Sequence, residues 1–499
     1  MTGWLAILPV LVPLATAAIV GALWDRTALQ RIVGLAGAVL LVPVAILLVL
    51  AVAEHGVVVT QLGDWPAPFG IAFAVDRFGA AMVAIATLMT VAVAIYALAD
   101  PELDEARTGF HPLFHGMIAG VMGSFVTGDL FNLYVWFEVM IIASFGLHVV
   151  RADRASLDGS FKYVVLNLVG TTLFLIGVGL LYGLTGALNM ADLARRVPEV
   201  ENQGALASVA LLLMVAFGMK SAVFPVFNWL PASYHTAPPA VAAIFAALLT
   251  KVGVYALIRT FTLVFPADHA VYGPVLAWVA AGTMVFGVFG AAVQWDVRRI
   301  LSFHIVSQIG YMILGLAVAT PAAIAGAIFY VLHHIVVKAN LFLIAGVLGR
   351  AGRGYDLRAM GGLWKSSPLL AVLFLVPALS LAGLPPLSGF WAKFAVIAPS
   401  LEDGAFWLAG TALAVGVLTL YSMIKIWNEA FWKPAPDGDG ALVLTGRERL
   451  LMLGPVAGLA CVTLFIGVAP EPLLSYATAA AAQLADRDAY ALAVLGGRP

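Results

Sequence analysis

The chain has 499 residues, 62% of them hydrophobic and only 11% charged, where a soluble domain carries about 25% charged residues. The mean hydropathy of +1.01 and the net charge of −1 exclude a soluble enzyme and a polyanion-binding protein, and point to a lipid bilayer with no nucleic-acid partner. The single cysteine, Cys461, excludes a disulfide framework, a Cys-ligated cluster and a thiol redox pair.

A spanning helix needs about 20 mainly apolar residues. In chain order this criterion gives an all-α integral membrane protein with about fourteen spans: 4–24, 32–53, 78–99, 111–128, 130–150, 161–185, 205–227, 238–263, 273–294, 299–318, 322–348, 367–397, 405–432 and 448–468. The first lacks a basic leader and a cleavage site, so it reads as a span rather than a signal peptide. Between the second and third, at about 55–76, a Gly-Asp-Trp-Pro centre flanked by β-prone runs reads as a short hairpin on the outer face. The seventh span is interrupted by "MKSAVFPVFNWLP" and the twelfth by "LAGLPPLSGFWAKF". Proline removes a backbone donor and breaks the helical ladder. Membrane interiors tolerate such a break only where it is buried in protein or lines a watery cavity. Two breaks five spans apart suggest two inverted five-helix units, 111–263 and 273–432. Helices 1–99 precede them, and a last helix with a tail, 448–499, follows. Past Pro470 a loosely amphipathic helix is expected, from which no function is read.

Fifteen basic residues, Arg107 and Arg353 among them, fall in loops on one side. Only Arg77, Arg195, Arg196, Arg259, Arg487 and Arg498 fall on the other. The positive-inside bias therefore places both termini outside the cytoplasm. Lys425 sits near the cytoplasmic end of its span and reads as a snorkelling anchor.

Four lysines remain at membrane depth, Lys220, Lys251, Lys338 and Lys393, together with one acid, Glu138. Each such charge costs about 2.5–3.5 kcal/mol at a helix centre. One glutamate cannot neutralise four lysines, so structural ion pairing does not account for the set. Burial disfavours the charged form of a lysine and turns an inert cation into a group able to pass a proton on. His304, Ser307, Gln308 and Tyr311 recur at the three- and four-residue spacing of one helix face. His334 lies one turn before Lys338, with His333 beside it, and reads as part of a hydrated relay. No carboxylate or thiolate accompanies the histidines, so neither a metal site nor a cofactor is expected.

At these residues the sequence resembles the antiporter-like subunits shared by respiratory complex I and the multisubunit Mrp-type cation/proton antiporters. The residues that carry the likeness are Glu138, Lys220 followed by "FNWLPASYHTAPPAV", Lys251 opening "KVGVYALIR", the His333-His334-Lys338 span and Lys393. Within that superfamily the chain is most similar to the D-type branch of the Mrp antiporters, since the long extension of the larger A-type branch is absent after Pro499. The resemblance implies that Glu138 and Lys220 form a coupled pair, that Lys251 and Lys338 form a central hydrophilic axis, and that Lys393 exchanges protons at its end. It further implies a hetero-oligomer with other Mrp-type subunits in the bacterial cell membrane, exchanging cytoplasmic Na+ for external H+. Two other readings stay open on the residues alone. One is an antiporter-like subunit of a proton-pumping quinone oxidoreductase or membrane-bound hydrogenase; the other is a scaffold with inherited charges.

Overall fold

The computed structural model describes residues 3–65, 67–104, 109–265, 269–350, 354–435, 442 and 444–496. Arg107, Arg353 and Arg498, used above for orientation, lie outside the described residues. The first helices are α1 (Trp4–Ala22), α2 (Thr27–His55), α3 (Arg77–Ala97), α4 (Phe110–Val126), α5 (Leu130–His148) and α6 (Arg154–Thr185). Next come α7 (Gln203–Ser221), α8 (Pro239–Leu263), α9 (Val271–Val293), α10 (Val297–Val318) and α11 (Pro321–Gly349). The last are α12 (Pro368–Ala382), α13 (Ser388–Glu402), α14 (Phe406–Trp432), α15 (Gly446–Val468), α16 (Glu471–Ala485) and α17 (Arg487–Leu495). Twelve of these are long and apolar enough to cross a membrane, and α4 and α12 are shorter apolar helices. The chain is a multi-pass membrane protein. Between α2 and α3, strands β1 (Val58–Gln61) and β2 (Ala72–Val75) pair antiparallel as the expected hairpin.

Side-chain caps fix where the helices start. Asp76, Asp129, Asp153 and Asp296 each accept a backbone N–H from the first turn of α3, α5, α6 and α10, at 2.7–3.0 Å. These bonds satisfy donors that a helix N-terminus leaves orphaned. The apolar stretches of α8 and α11 are wholly buried in protein, and that of α10 is 94% buried, against 33% for α1 and 39% for α6 and α14. Polar side chains on α8, α10 and α11 are therefore screened from lipid by the other helices.

Helices approach closely where glycine allows it. A Cβ on Gly120 of α4 would meet the Met140 nitrogen of α5 at 2.5 Å, and one on Gly123 would strike the Trp136 ring. Likewise a Cβ on Gly287 of α9 would meet the Ser307 nitrogen of α10 at 2.4 Å, and one on Gly290 the Phe303 ring. Backbone bridges join Asp129 to Asn189 and Asp296 to Asp356. Every residue in the first half of this pattern (120, 123, 129, 136, 140, 189) has its counterpart at one constant spacing (287, 290, 296, 303, 307, 356).

The structure adds two features at the end of the bundle that carries the hairpin. Arg259 lies in α8, within its expected span, 2% exposed, and its guanidinium grips both Asp76 carboxylate oxygens at 2.6 Å. The tail past Pro470, from which the sequence gives no function, straps this assembly. Gln483 of α16 accepts from the Arg77 N–H and donates to the Gly56 carbonyl, Arg487 donates to the Leu263 and Ala194 carbonyls, and Tyr490 of α17 stacks 5.7 Å from the Arg259 guanidinium. Removing one partner of a buried ion pair strands the other and costs about 3–5 kcal/mol. Arg259→Leu is expected to lower the Tm of the purified complex sharply, and adding Asp76→Asn to restore part of it. Equal melting of the single variant and the wild type would contradict this.

Just beyond α3, Asp100 is 1% exposed and its carboxylate accepts the N–H of Ala240 at 3.0 Å, capping α8. Burial pushes its carboxyl up to about 7, helped by Glu102 and opposed by the Ala240 N–H and by Arg350. An acid whose pKa is raised by folding binds its proton more tightly in the native state, so stability is lost as pH rises from about 4 through 7. Asp100→Asn keeps the carbonyl acceptor without the charge. Its stability advantage over the wild type should widen between pH 5 and pH 8, reaching about 2–4 kcal/mol. Thermal melts at the two pH values check the sign.

Candidate functional site

Both proline-rich interruptions are real breaks. Helix α7 ends at Ser221, where Ala222 takes a left-handed conformation (φ 58°), and helical structure resumes at Trp229. Helix α12 ends before Gly383 (φ 94°), and α13 begins at Ser388. The two lysines are not placed alike. Lys220 is the penultimate residue of α7, before its break, whereas Lys393 lies in α13, after its own.

The Lys220 amino group donates to the Asn167 carbonyl of α6 at 2.8 Å. Gly170, one turn further, leaves room for it: a Cβ there would sit 3.5 Å from the Lys220 Cε. Across the break the Trp229 indole donates to the Met219 carbonyl at 3.0 Å. Helix α8 lies directly against this end of α7, because a Cβ on its Gly253 would come within 2.7 Å of the Ser221 nitrogen. Two residues before that contact stands Lys251. It is fully buried, just after a π-helical turn at Phe245–Leu249, and donates to the Ala246 carbonyl inside that turn. A π turn shifts backbone carbonyls out of the regular ladder and recurs at functional sites.

Lys338 of α11 is also fully buried and donates to the Leu301 carbonyl of α10 at 3.2 Å. The Lys338 charge lies within electrostatic reach of Lys251, and His334 within reach of both lysines and of His304. His304 in turn lies within reach of Lys338 and Lys393. Both ring nitrogens of His304 and of His334 are buried without a partner among the described residues, as is the Gln308 amide nitrogen. The Gln308 carbonyl accepts from the Tyr330 hydroxyl at 2.5 Å. Lys393 donates to the Ala382 carbonyl at 2.6 Å, across the break, and lies 5.3 Å over the Tyr311 ring. Gly383 makes this possible, since a Cβ there would meet the Lys393 Cδ at 2.7 Å. An apolar cavity of about 370 Å³, lined by Phe390, Phe394, Leu413 and Val417 among others, opens beside Lys393.

Lys251, His334, Lys338, His304 and Lys393 are all buried, and each lies within electrostatic reach of at least one other. Lys220 sits at the end of α7. Ser307 donates to the Met284 carbonyl of α9 at 3.1 Å, and His333 bonds to Ser388 of α13. Glu138 is half-buried on α5, and its Oε1 is buried without a partner among the described residues. Its field reaches Lys220, but no hydrogen bond or ion pair joins the two among the described residues. Phe131, Val135 and Ile142 on the same helix are exposed. Lys425 is more than an anchor: it caps α9, donating to the Ala292 and Gln294 carbonyls at 3.1 and 2.6 Å.

Each of the four deep lysines rests on a backbone carbonyl rather than a carboxylate. A neutral amine keeps N–H donors, so such a lysine can lose its proton and stay in place. A carboxylate partner would hold it charged. Sequence reading missed the carbonyl partners, the π turn, Asn167, Tyr330 and the fully buried Asn340, neither of whose amide atoms has a partner among the described residues. Asn167 and Asn340 are visible as amides in apolar runs, but Lys220 uses the Asn167 backbone carbonyl, which carries no sequence signal.

The family described as "NADH:quinone oxidoreductase/Mrp antiporter, TM" matches residues 127–419. The D-type subunit of the Na(+)/H(+) antiporter of Alkalihalophilus pseudofirmus is 44% identical over 491 residues, covering 98% of this chain and 99% of that protein. A chain in the structure of the Mrp complex from a Dietzia species superposes with a TM-score of 0.90 at 36% identity, covering 99% of this chain and all of that one. A chain of respiratory complex I from Thermus thermophilus superposes with a TM-score of 0.80 at 26% identity, covering 96% and 99% of the two chains.

Proposed function

This chain belongs to the NADH:quinone oxidoreductase/Mrp antiporter membrane family, and from that premise we propose that it is the D-type, proton-translocating subunit of a multisubunit Na+/H+ antiporter. The observation that carries the reading is 44% identity along nearly its whole length to a D-type antiporter subunit, in a chain whose centre holds a set of carbonyl-bound lysines. It is a transporter component rather than an enzyme. It works within a hetero-oligomer of other antiporter subunits in the bacterial plasma membrane, with both termini outside the cytoplasm.

Protons pass from the Glu138–Lys220 end along Lys251, His334 and Lys338 to Lys393. Ionised Glu138 favours the ammonium form of Lys220, and its neutralisation favours release toward Lys251. The ring nitrogens of His304 and His334 and the Gln308 amide, unpartnered among the described residues, are where the path needs water, since buried polar groups are normally hydrogen-bonded. The half-buried Glu138, on a helix face with exposed Phe131, Val135 and Ile142, supports a neighbouring subunit there, because lipid penalises a facing carboxylate. Fourteen spans follow if α4 and the pair α12–α13 each count as one. The constant-spacing pattern of Gly120 and Gly287, and of Asp129 and Asp296, supports the units 111–263 and 273–432 as inverted repeats.

The likeness to a complex I chain favours a second reading, an antiporter-like subunit of an NADH:quinone oxidoreductase or membrane-bound hydrogenase. The partners that co-purify with the tagged chain separate the two. Small antiporter subunits and sodium-dependent proton flux are expected. A flavin and iron–sulfur peripheral arm would establish the second reading instead.

A further inference from the structure

The proposed proton path leaves His333 unused, and its contacts differ from those of its neighbours. His333 is 1% exposed, and its Nδ1 lies 2.8 Å from the Ser388 hydroxyl at the first turn of α13. The Ser388 hydroxyl lies 2.9 Å from that of Ser380, in the last turn of α12. The Ser380 oxygen also accepts the N–H of Gly389 at 3.0 Å. Both serines are fully buried. One histidine on α11 is therefore hydrogen-bonded to a hydroxyl pair that spans the break between α12 and α13.

The joint is tight. A Cβ on Gly389 would come within 1.7 Å of the Ser380 carbonyl, and one on Gly383 within 2.7 Å of the Lys393 side chain. Lys393 stands five residues after Ser388 on the same helix and reaches back over the break to Ala382. The break after α7 is spanned differently, by the Trp229 indole on a carbonyl.

The hydroxyl pair has two possible directions. A ring bearing a proton on Nδ1 donates to Ser388, which then donates to Ser380. A ring with a bare Nδ1 accepts from Ser388, which then accepts from Ser380. Each hydroxyl has one proton and two acceptor sites, so the second arrangement uses every donor, whereas the first leaves the Ser380 proton without an acceptor among the described residues. The bond to a charged ring is the stronger.

We propose that Ser388 and Ser380 are positioning residues that tie the protonation state of His333 to the joint carrying Lys393. Their hydrogen bonds reverse when His333 gains or loses its Nδ1 proton, and the α12–α13 joint shifts between two settings of the terminal lysine. This rests on the proposed antiport function and adds to it a control at the exit end of the path.

The test compares purified wild-type, Ser388→Ala, Ser388→Thr and Ser380→Ala complexes in liposomes. Sodium-driven proton flux is recorded across pH and normalised to assembled complex. Losing a hydrogen bond to a charged group is worth about a tenfold effect. Ser388→Ala is expected to lower peak flux about tenfold and to move the flux–pH profile by about one unit toward acid. Ser388→Thr keeps the hydroxyl and should restore the profile's position, and Ser380→Ala should move it in the same direction as Ser388→Ala, giving a second readout if Ser388→Ala does not assemble. An unmoved profile in both alanine variants overturns the inference, as does a uniform loss that threonine shares. A wild-type complex without sodium-driven flux would overturn the proposed function, and this inference with it.

Discussion

The Lys220→Ala complex is expected to assemble in wild-type amounts and to lose sodium-driven proton exchange by at least about a hundredfold, the usual contribution of a positioned proton-transfer group. The geometry separates the two effects. Lys220 donates to one backbone carbonyl at the edge of a break already spanned by Trp229, so removing its side chain leaves the joint held. What it removes is the amino group beside Asn167, at the α7 end of the path. Glu138→Ala should act through the same step, since Glu138 is the acid whose field reaches Lys220. Glu138→Asp keeps the charge with a shorter reach and should retain part of the flux. Everted vesicles with matched subunit levels by immunoblot check all three. Full flux in the assembled Glu138→Ala variant would sever the coupling between the pair.

Lys393→Arg is the second large effect. Arginine keeps a positive charge and can still donate to the Ala382 carbonyl, but it is effectively always protonated, with a pKa above about 12. A cation needed only for its field would tolerate the change. An exchanging residue would not, because release is blocked. Flux is expected to fall at every pH, with no recovery at alkaline pH where a slow lysine would recover. Gly416, whose Cβ would lie 3.4 Å from the Lys393 amino group, makes the site close-fitting. Lys393→Gln is therefore needed beside it as an uncharged variant of similar length. Near-normal flux with arginine and loss with glutamine would make Lys393 a structural cation and remove the end of the path.

Much of this site was legible in the sequence because lipid makes charge conspicuous. Lysines inside long apolar runs have no bland surface to occupy, and proline-rich interruptions next to Lys220 and Lys393 marked breaks that the helices do contain. The hairpin was readable from its turn chemistry. The lysines' partners were not readable, since backbone carbonyls carry no sequence signal and depend on which helices meet. The π turn before Lys251 was hidden for the same reason: its residues, "FAALL", are ordinary helix formers. The ion partner of Arg259 was not readable, because only the fold brings Asp76 to it. Small residues such as Gly120 and Gly287 read as generic membrane composition until their facing backbones are known.

The central claim is that the deep lysines alternate between ammonium and amine while remaining bound to their carbonyls. It is tested most directly by ¹⁵N solid-state NMR of the lysine side chains in the assembled complex in lipid. Single Lys→Arg variants assign Lys220, Lys251, Lys338 and Lys393. The account predicts that these Nζ resonances convert between ammonium and amine positions across the pH range in which the complex exchanges sodium for protons, and that the Lys220 conversion moves when Glu138 is replaced by alanine. All four remaining ammonium throughout that range, with exchange intact, would contradict it.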